Sequence, residues 1–142
     1  MEPQVSVVES RQVLLIEPDE AERERFGGWL EEAGFQPVNC PGPHLPGYTC
    51  LGVQGLPCAL REAADVVVVD TRTLPGIAKH GTPAWRLLRY YLSAGKPVVV
   101  IAEKYHPDRS FRPEQVFSLR PNPGRESLLL AVRQLLRRAG SW

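Results

Sequence analysis

Lysine is scarce in this chain: Lys79, Lys96 and Lys104 are the only three in 142 residues, and the other basic groups are arginines. Charge of either sign is also nearly absent in sum. The formal net charge is +1, so no strong field directs the protein to nucleic acid or to an acidic membrane. No apolar run approaches membrane-spanning length. Residues 1–12 lack the basic start and apolar core of a signal peptide, so a cytoplasmic location is expected. Cysteine numbers three, an odd count that argues against a disulfide framework. There is no glycine-rich phosphate loop and no Ser/His/Asp arrangement in recognisable context. A flavin or nucleotide binder and a nucleophilic hydrolase are therefore disfavoured, and no enzyme activity is expected.

What is present is an ordinary soluble composition, 43% hydrophobic and 23% charged, in a length that suits one domain. Residues 1–11 read as an N-terminal tail and residues 12–142 as the domain. Strands and helices alternate. Residues 13–16 (Val-Leu-Leu-Ile) form a short buried strand that ends at Glu17. Asp19 is placed to cap the next helix, with Glu22 three residues later completing a capping box. Phe26, Trp29, Leu30 and Ala33 share a helical face, and Gly34 ends it. Residues 35–39 read as a second strand, and 40–57, rich in glycine and proline, as a loop. Residues 58–64 allow one or two helical turns, and residues 65–70 a third strand.

Thr82 and Pro83 suit the start of another helix, with Trp85, Leu88 and Leu92 inside and Gly95 at its end. Residues 97–101 read as the fourth strand. Residues 103–115 contain Pro107 and Pro113 and little apolar periodicity, so any helix there is short. Residues 116–119 read as the fifth strand. Asn122 and Pro123 are expected to open the last helix, with Leu128, Leu129, Val132, Leu135 and Leu136 as its buried stripe and Gly140 at its end. Short crossovers between such strands predict a doubly wound parallel sheet.

Four consecutive valines, Val66 to Val69, read as a strand buried on both faces. The run stops at Asp70, and open α/β sheets form their sites just past the carboxyl ends of strands. His80 and His106 fall on loops near those ends and carry no assigned role. Trp85, Tyr90 and Tyr91 stand at helical spacing and read as packing.

Three segments together resemble the receiver domain of two-component response regulators. They are Val13-Leu14-Leu15-Ile16-Glu17-Pro18-Asp19, then Asp65 to Asp70 with Leu74-Pro75-Gly76, and Pro97 to Ala102 followed later by Arg120-Pro121. The resemblance spans residues 12–139. It implies the flavodoxin-like fold, a five-stranded parallel sheet of order 2-1-3-4-5, here with degenerate second and fourth helical segments. It also implies signalling by protein–protein contact, with a histidine kinase or another signalling protein as partner and a homodimer as a further option.

The family's chemistry is phosphoryl transfer to an aspartate, with Mg²⁺ held by carboxylates. The resemblance puts Asp70 at the phosphoacceptor position and Glu17 at the first acidic position. The second acidic position is Pro18, whose side chain cannot ligate a metal, while Asp19 is displaced by one residue. The hydroxyl that follows the phosphate is replaced by Ala102, and the phosphate-pairing lysine by Arg120, whose planar fork is not an ammonium. The expectation is a pseudo-receiver without normal Mg²⁺-dependent phosphorylation, in which Asp70 pairs with Arg120. A conventional phosphoacceptor on Asp70 is the alternative. Because the chain ends soon after the last helix, no DNA-binding output domain is expected. A partner or self-association surface is expected on the fourth helical segment, fifth strand and last helix.

Cys40, Cys50 and Cys58 gather in one glycine- and proline-rich segment with His44. They could supply a Cys₃His zinc site, ligate an iron–sulfur cluster, or form a redox-responsive disulfide between Cys40 and Cys50. Burial as small apolar residues is the competing reading. The spacing matches no standard metal motif, but none of the three is expected on a strand or principal helix.

Overall fold

Valine-rich segments set the centre of the molecule, because β-branched side chains pack well on a pleated, doubly covered surface. The computed structural model describes residues 11–17, 19–40, 59–70, 83–103 and 113–138. Within them, β1 (Gln12–Ile16), β2 (Gln36–Cys40), β3 (Val66–Asp70), β4 (Val98–Ile101) and β5 (Val116–Leu119) form one sheet. All pairings are parallel and the order is β2-β1-β3-β4-β5. Every residue of β3 and β4 is buried, whereas the edge strands β2 and β5 are only partly covered. The expected flavodoxin-like topology is observed.

Alternation along the strands sorts the side chains onto two faces. One face carries Leu14, Ile16, Val67, Val69, Val98 and Val100 and packs against α3 (Pro83–Ser93) through Leu88, Tyr91 and Leu92. The other carries Val13, Leu15, Val66, Val68, Val99 and Ile101. Phe26 and Leu30 of α1 (Glu20–Glu32) cover it, together with Leu128, Val132 and Leu135 of α4 (Arg125–Arg138). Among the described residues the second crossover carries α2 (Ala59–Ala63), and the fourth ends in a 3₁₀ turn, Pro113–Gln115, which leads into β5. No helix among the described residues is long and apolar enough to cross a membrane.

Local signals explain the helix ends. Gly34 and Gly95 adopt φ of +94° and +79°, which a glycine takes without steric cost. At each, two bonds close the helix in the same pattern. Gly34 N–H donates to Glu31 O and Phe35 N–H to Leu30 O, while Gly95 N–H donates to Leu92 O and Lys96 N–H to Tyr91 O. At this same amino edge of the sheet, Asp65 clamps β1 to the start of β3. Its N–H donates to Gln12 O at 2.8 Å, and its carboxylate accepts from Gln12 N–H at 2.7 Å.

Three local expectations differ from the structure. Cys40 is not in a loop: it ends β2, opposite Ile16, and is 6% exposed in the α3-side core. The expected strand stops one residue short, at Asn39, where the glycine- and proline-rich run begins, but pairing with β1 continues to Cys40. The last helix begins at Arg125, not at Asn122, because Asn122 takes a left-handed φ of +56° that no α-helical residue adopts. The capping box is half formed, as described below. Residues 41–58, which hold His44, Cys50 and Cys58, lie outside the described residues, as do Pro18, Thr82, His80, His106 and Gly140.

Candidate acidic pocket at the carboxyl edge of the sheet

Asp70 is the last residue of β3 and is 2% exposed. The β1–β3 register pairs Ile16 with Val69, so the next residue of β1, Glu17, stands beside Asp70. Glu17 is fully buried. Strand alternation turns both toward the face covered by α1 and α4. The neighbouring backbones are about 4.8 Å apart in such a pair. Burying two carboxylates on neighbouring strand ends is costly unless each is held by partners.

Asp19 does not join them. It is exposed, and its Oδ1 accepts from Ala21 N–H at 2.9 Å and Glu22 N–H at 3.1 Å, which caps α1. The reciprocal bond of a capping box would bring Glu22 back to Asp19 N–H. That N–H instead donates to Glu17 Oε2 at 3.2 Å, and Glu22 pairs with Arg25. Arg23 Nη1 donates to the backbone oxygen of Glu17 at 3.1 Å. The first turn of α1 therefore holds Glu17 in place with two donors.

Glu22 is the charged residue that the sequence pattern pointed to least clearly. Only three polar or charged residues are buried among those described, Glu17, Glu22 and Asp70, and all are carboxylates. The available signal was its spacing of four from Phe26 and eight from Leu30, which puts it on the inward stripe of α1.

The other half of the edge is built differently. Ala102 follows β4, is buried, and donates its N–H to Leu119 O at 2.9 Å. It shares the α3-side core, the face opposite to that of Asp70 and Glu17. Arg120 follows β5 and is exposed. The expected ion pair between Asp70 and Arg120 is not formed, and Asp70 makes its contacts elsewhere. The physical reason is placement. β4 lies between β3 and β5, so about two strand spacings separate them, and alternation puts position 120 on the side of Val116, with the α3-side core. Tyr90 and Tyr91 are buried, with an edge-on ring contact at 5.5 Å, and Arg61 lies 4.1 Å over the Tyr90 ring. They pack, as their spacing indicated.

The donor set does not fit the Mg²⁺ site that the fold family implies. Asp70 and Glu17 are in place, but the second acidic position is proline and Asp19 is spent on the helix cap. Among the described residues no group of three or more His, Cys, Asp or Glu side chains is arranged to hold a metal ion. Of the cysteine-segment candidates, only Cys40 is described, and it packs in the core.

No family model matches the sequence, and no curated protein matches it. Solved structures do match. A response regulator receiver domain protein from Bacillus halodurans aligns with a TM-score of 0.66 at 12% identity, covering 89% of this chain and 97% of that one. A response regulator receiver protein from Sinorhizobium medicae aligns at 0.59 and 21% identity, covering 93% and 98%. A chemotaxis protein of Vibrio cholerae aligns at 0.61 and 14% identity, covering 90% and 100%. With this coverage and the strand order β2-β1-β3-β4-β5, the chain has the fold of the response regulator receiver domains.

Proposed function

We propose that this chain is an atypical receiver-like signalling module of the cytoplasm that acts through protein–protein contacts, without normal Mg²⁺-dependent phosphorylation of Asp70. The observation that carries the reading is the use made of the acids at the carboxyl edge. Of the acids near Asp70, Glu17 is bound by the first turn of α1 and Asp19 caps that helix. The chain therefore keeps the phosphoacceptor position while its neighbours serve the fold. Two further differences act in the same direction. Ala102 has no hydroxyl to follow a phosphate, and Arg120 is exposed on the other side of β4. The solved structures it resembles are signalling receivers, so a contact-based role without turnover is the natural use of the scaffold; fold by itself assigns no activity.

Titration with Mg²⁺ followed by amide NMR tests this reading. The expected result is no saturable shift at Glu17 or Asp70 through millimolar Mg²⁺. Saturable shifts centred on those two amides would overturn it.

A further inference from the structure

α1 and α4 place their charges as helices favour, and α3 does not. α1 opens with Glu20 and Glu22. α4 opens with Glu126 and ends with Arg137 and Arg138. Both patterns suit the helix dipole. α3 has no acid in its first turn and no base in its last. Its only charged residues are Arg86 and Arg89. Arg86 closes the first turn, the end where a cation is disfavoured, and Arg89 stands one turn on, where like charges repel.

Other arginines serve the fold. Arg25 pairs with Glu22, and Arg125 with Glu126. Arg61 pairs with Glu62 and lies over the Tyr90 ring. Arg86 and Arg89 are exposed, and among the described residues no acid pairs with either. The Arg89 guanidinium lies 5.4 Å from the centre of the buried Trp85 ring, whose face holds it at the surface. Lys96, just past α3, donates to Glu62 O of α2. This side of the molecule therefore sets Arg61, Arg86, Arg89 and Lys96 against Glu62 among the described residues of α2, α3 and the turn after it. Charges that cost the helix and complete no pair within the fold are suited to a contact outside it.

We propose that the exposed side of α3 docks an acidic helix of a partner protein, whose carboxylates one turn apart meet Arg86 and Arg89. Charge complementarity selects an acidic occupant. Its size follows from α3, whose 11 residues span about 16 Å. A nucleic acid is disfavoured, because the net charge is only +1 and exposed Glu20, Glu24, Glu31 and Glu32 on the other face of the sheet give no field to hold a polyanion. Exposed ion pairs are individually weak and screened by salt, so the contact is transient and sensitive to ionic strength. This inference rests on the contact-based reading above and names its surface; its failure would leave the Mg²⁺ result at Asp70 intact.

The test is an amide NMR titration with a stapled, alanine-rich helical peptide bearing glutamates one turn apart. The expected result is saturable shifts confined to α3 and its flanks, lost at high salt and absent with the glutamine version of the peptide. Arg86→Glu/Arg89→Glu weakens binding by about tenfold. That variant melts no lower than the native chain, because the arginines do not serve the helix. Arg137→Glu/Arg138→Glu, an equal change in net charge on α4, binds as the native chain does. No saturable shift, shifts centred elsewhere, equal weakening by both reversals, or a lowered melting point in the α3 variant would overturn the proposal. So would tighter binding of a DNA duplex to the same amides, or their concentration-dependent shift without peptide, which would make a second copy the occupant.

Discussion

The two halves of the carboxyl edge of the sheet have the same backbone and opposite chemistry. At the ends of β1 and β3, Glu17 and Asp70 are buried side by side and Glu17 is held by donors from the first turn of α1. At the ends of β4 and β5, a buried alanine and an exposed arginine occupy the corresponding places. The parallel ladder continues through both halves without a break. A sheet can therefore keep its register whatever its strand ends carry, because ladder hydrogen bonds depend on the main chain and the chemistry of the edge depends on single side chains.

Restoring the altered positions tests this contrast most severely. Ala102→Thr with Arg120→Lys rebuilds only the β4–β5 half and is expected to leave Asp70 unreactive toward acetyl phosphate. Adding Pro18→Asp supplies the missing carboxylate beside Glu17. The triple variant is expected to gain Mg²⁺-dependent phosphorylation, lost again with Asp70→Asn. Reactivity in the double variant would place the defect in the β4–β5 half instead.

Packing should show the same asymmetry at smaller scale. Ile16 is fully buried, whereas Leu119 on the edge strand is half-buried. Urea unfolding is expected to give a loss of about 2–5 kcal/mol for Ile16→Ala and roughly 1 kcal/mol for Leu119→Ala. Equal losses would mean that the β5 end is as tightly packed as the centre. Smaller still is the cap. Asp19→Ala removes an acceptor from two N–H groups and should cost about 1 kcal/mol. An unchanged midpoint would show that Asp19 is not committed to α1.

Much of this architecture was legible in the residues. Runs such as Val66 to Val69 can only be central strands, and the glycines after α1 and α3 mark the turns that close them. Asp70 and Glu17 were legible for the same reason, since each follows directly on a buried run. What was not legible depended on competition or parity. Asp19 and Glu22 have the spacing of a capping box, but the Glu17 carboxylate reaches the Asp19 N–H and Arg25 takes Glu22. Arg120 looked like a partner for Asp70 until the register of β5 placed it beyond β4 and on the alternate side. Cys40 looked like part of a ligand-bearing loop because Pro41, Gly42 and Pro43 follow it directly, yet its pairing with Ile16 is set by the length of β1.

The central claim is that the acids around Asp70 serve the fold rather than phosphoryl transfer. Intact mass spectrometry of the native chain after incubation with acetyl phosphate and Mg²⁺ tests it most directly, with the triple variant as the reactive control. The account predicts no mass increase on the native chain under conditions that modify the control. A single phosphoryl group added to the native chain, and absent from Asp70→Asn, would contradict it.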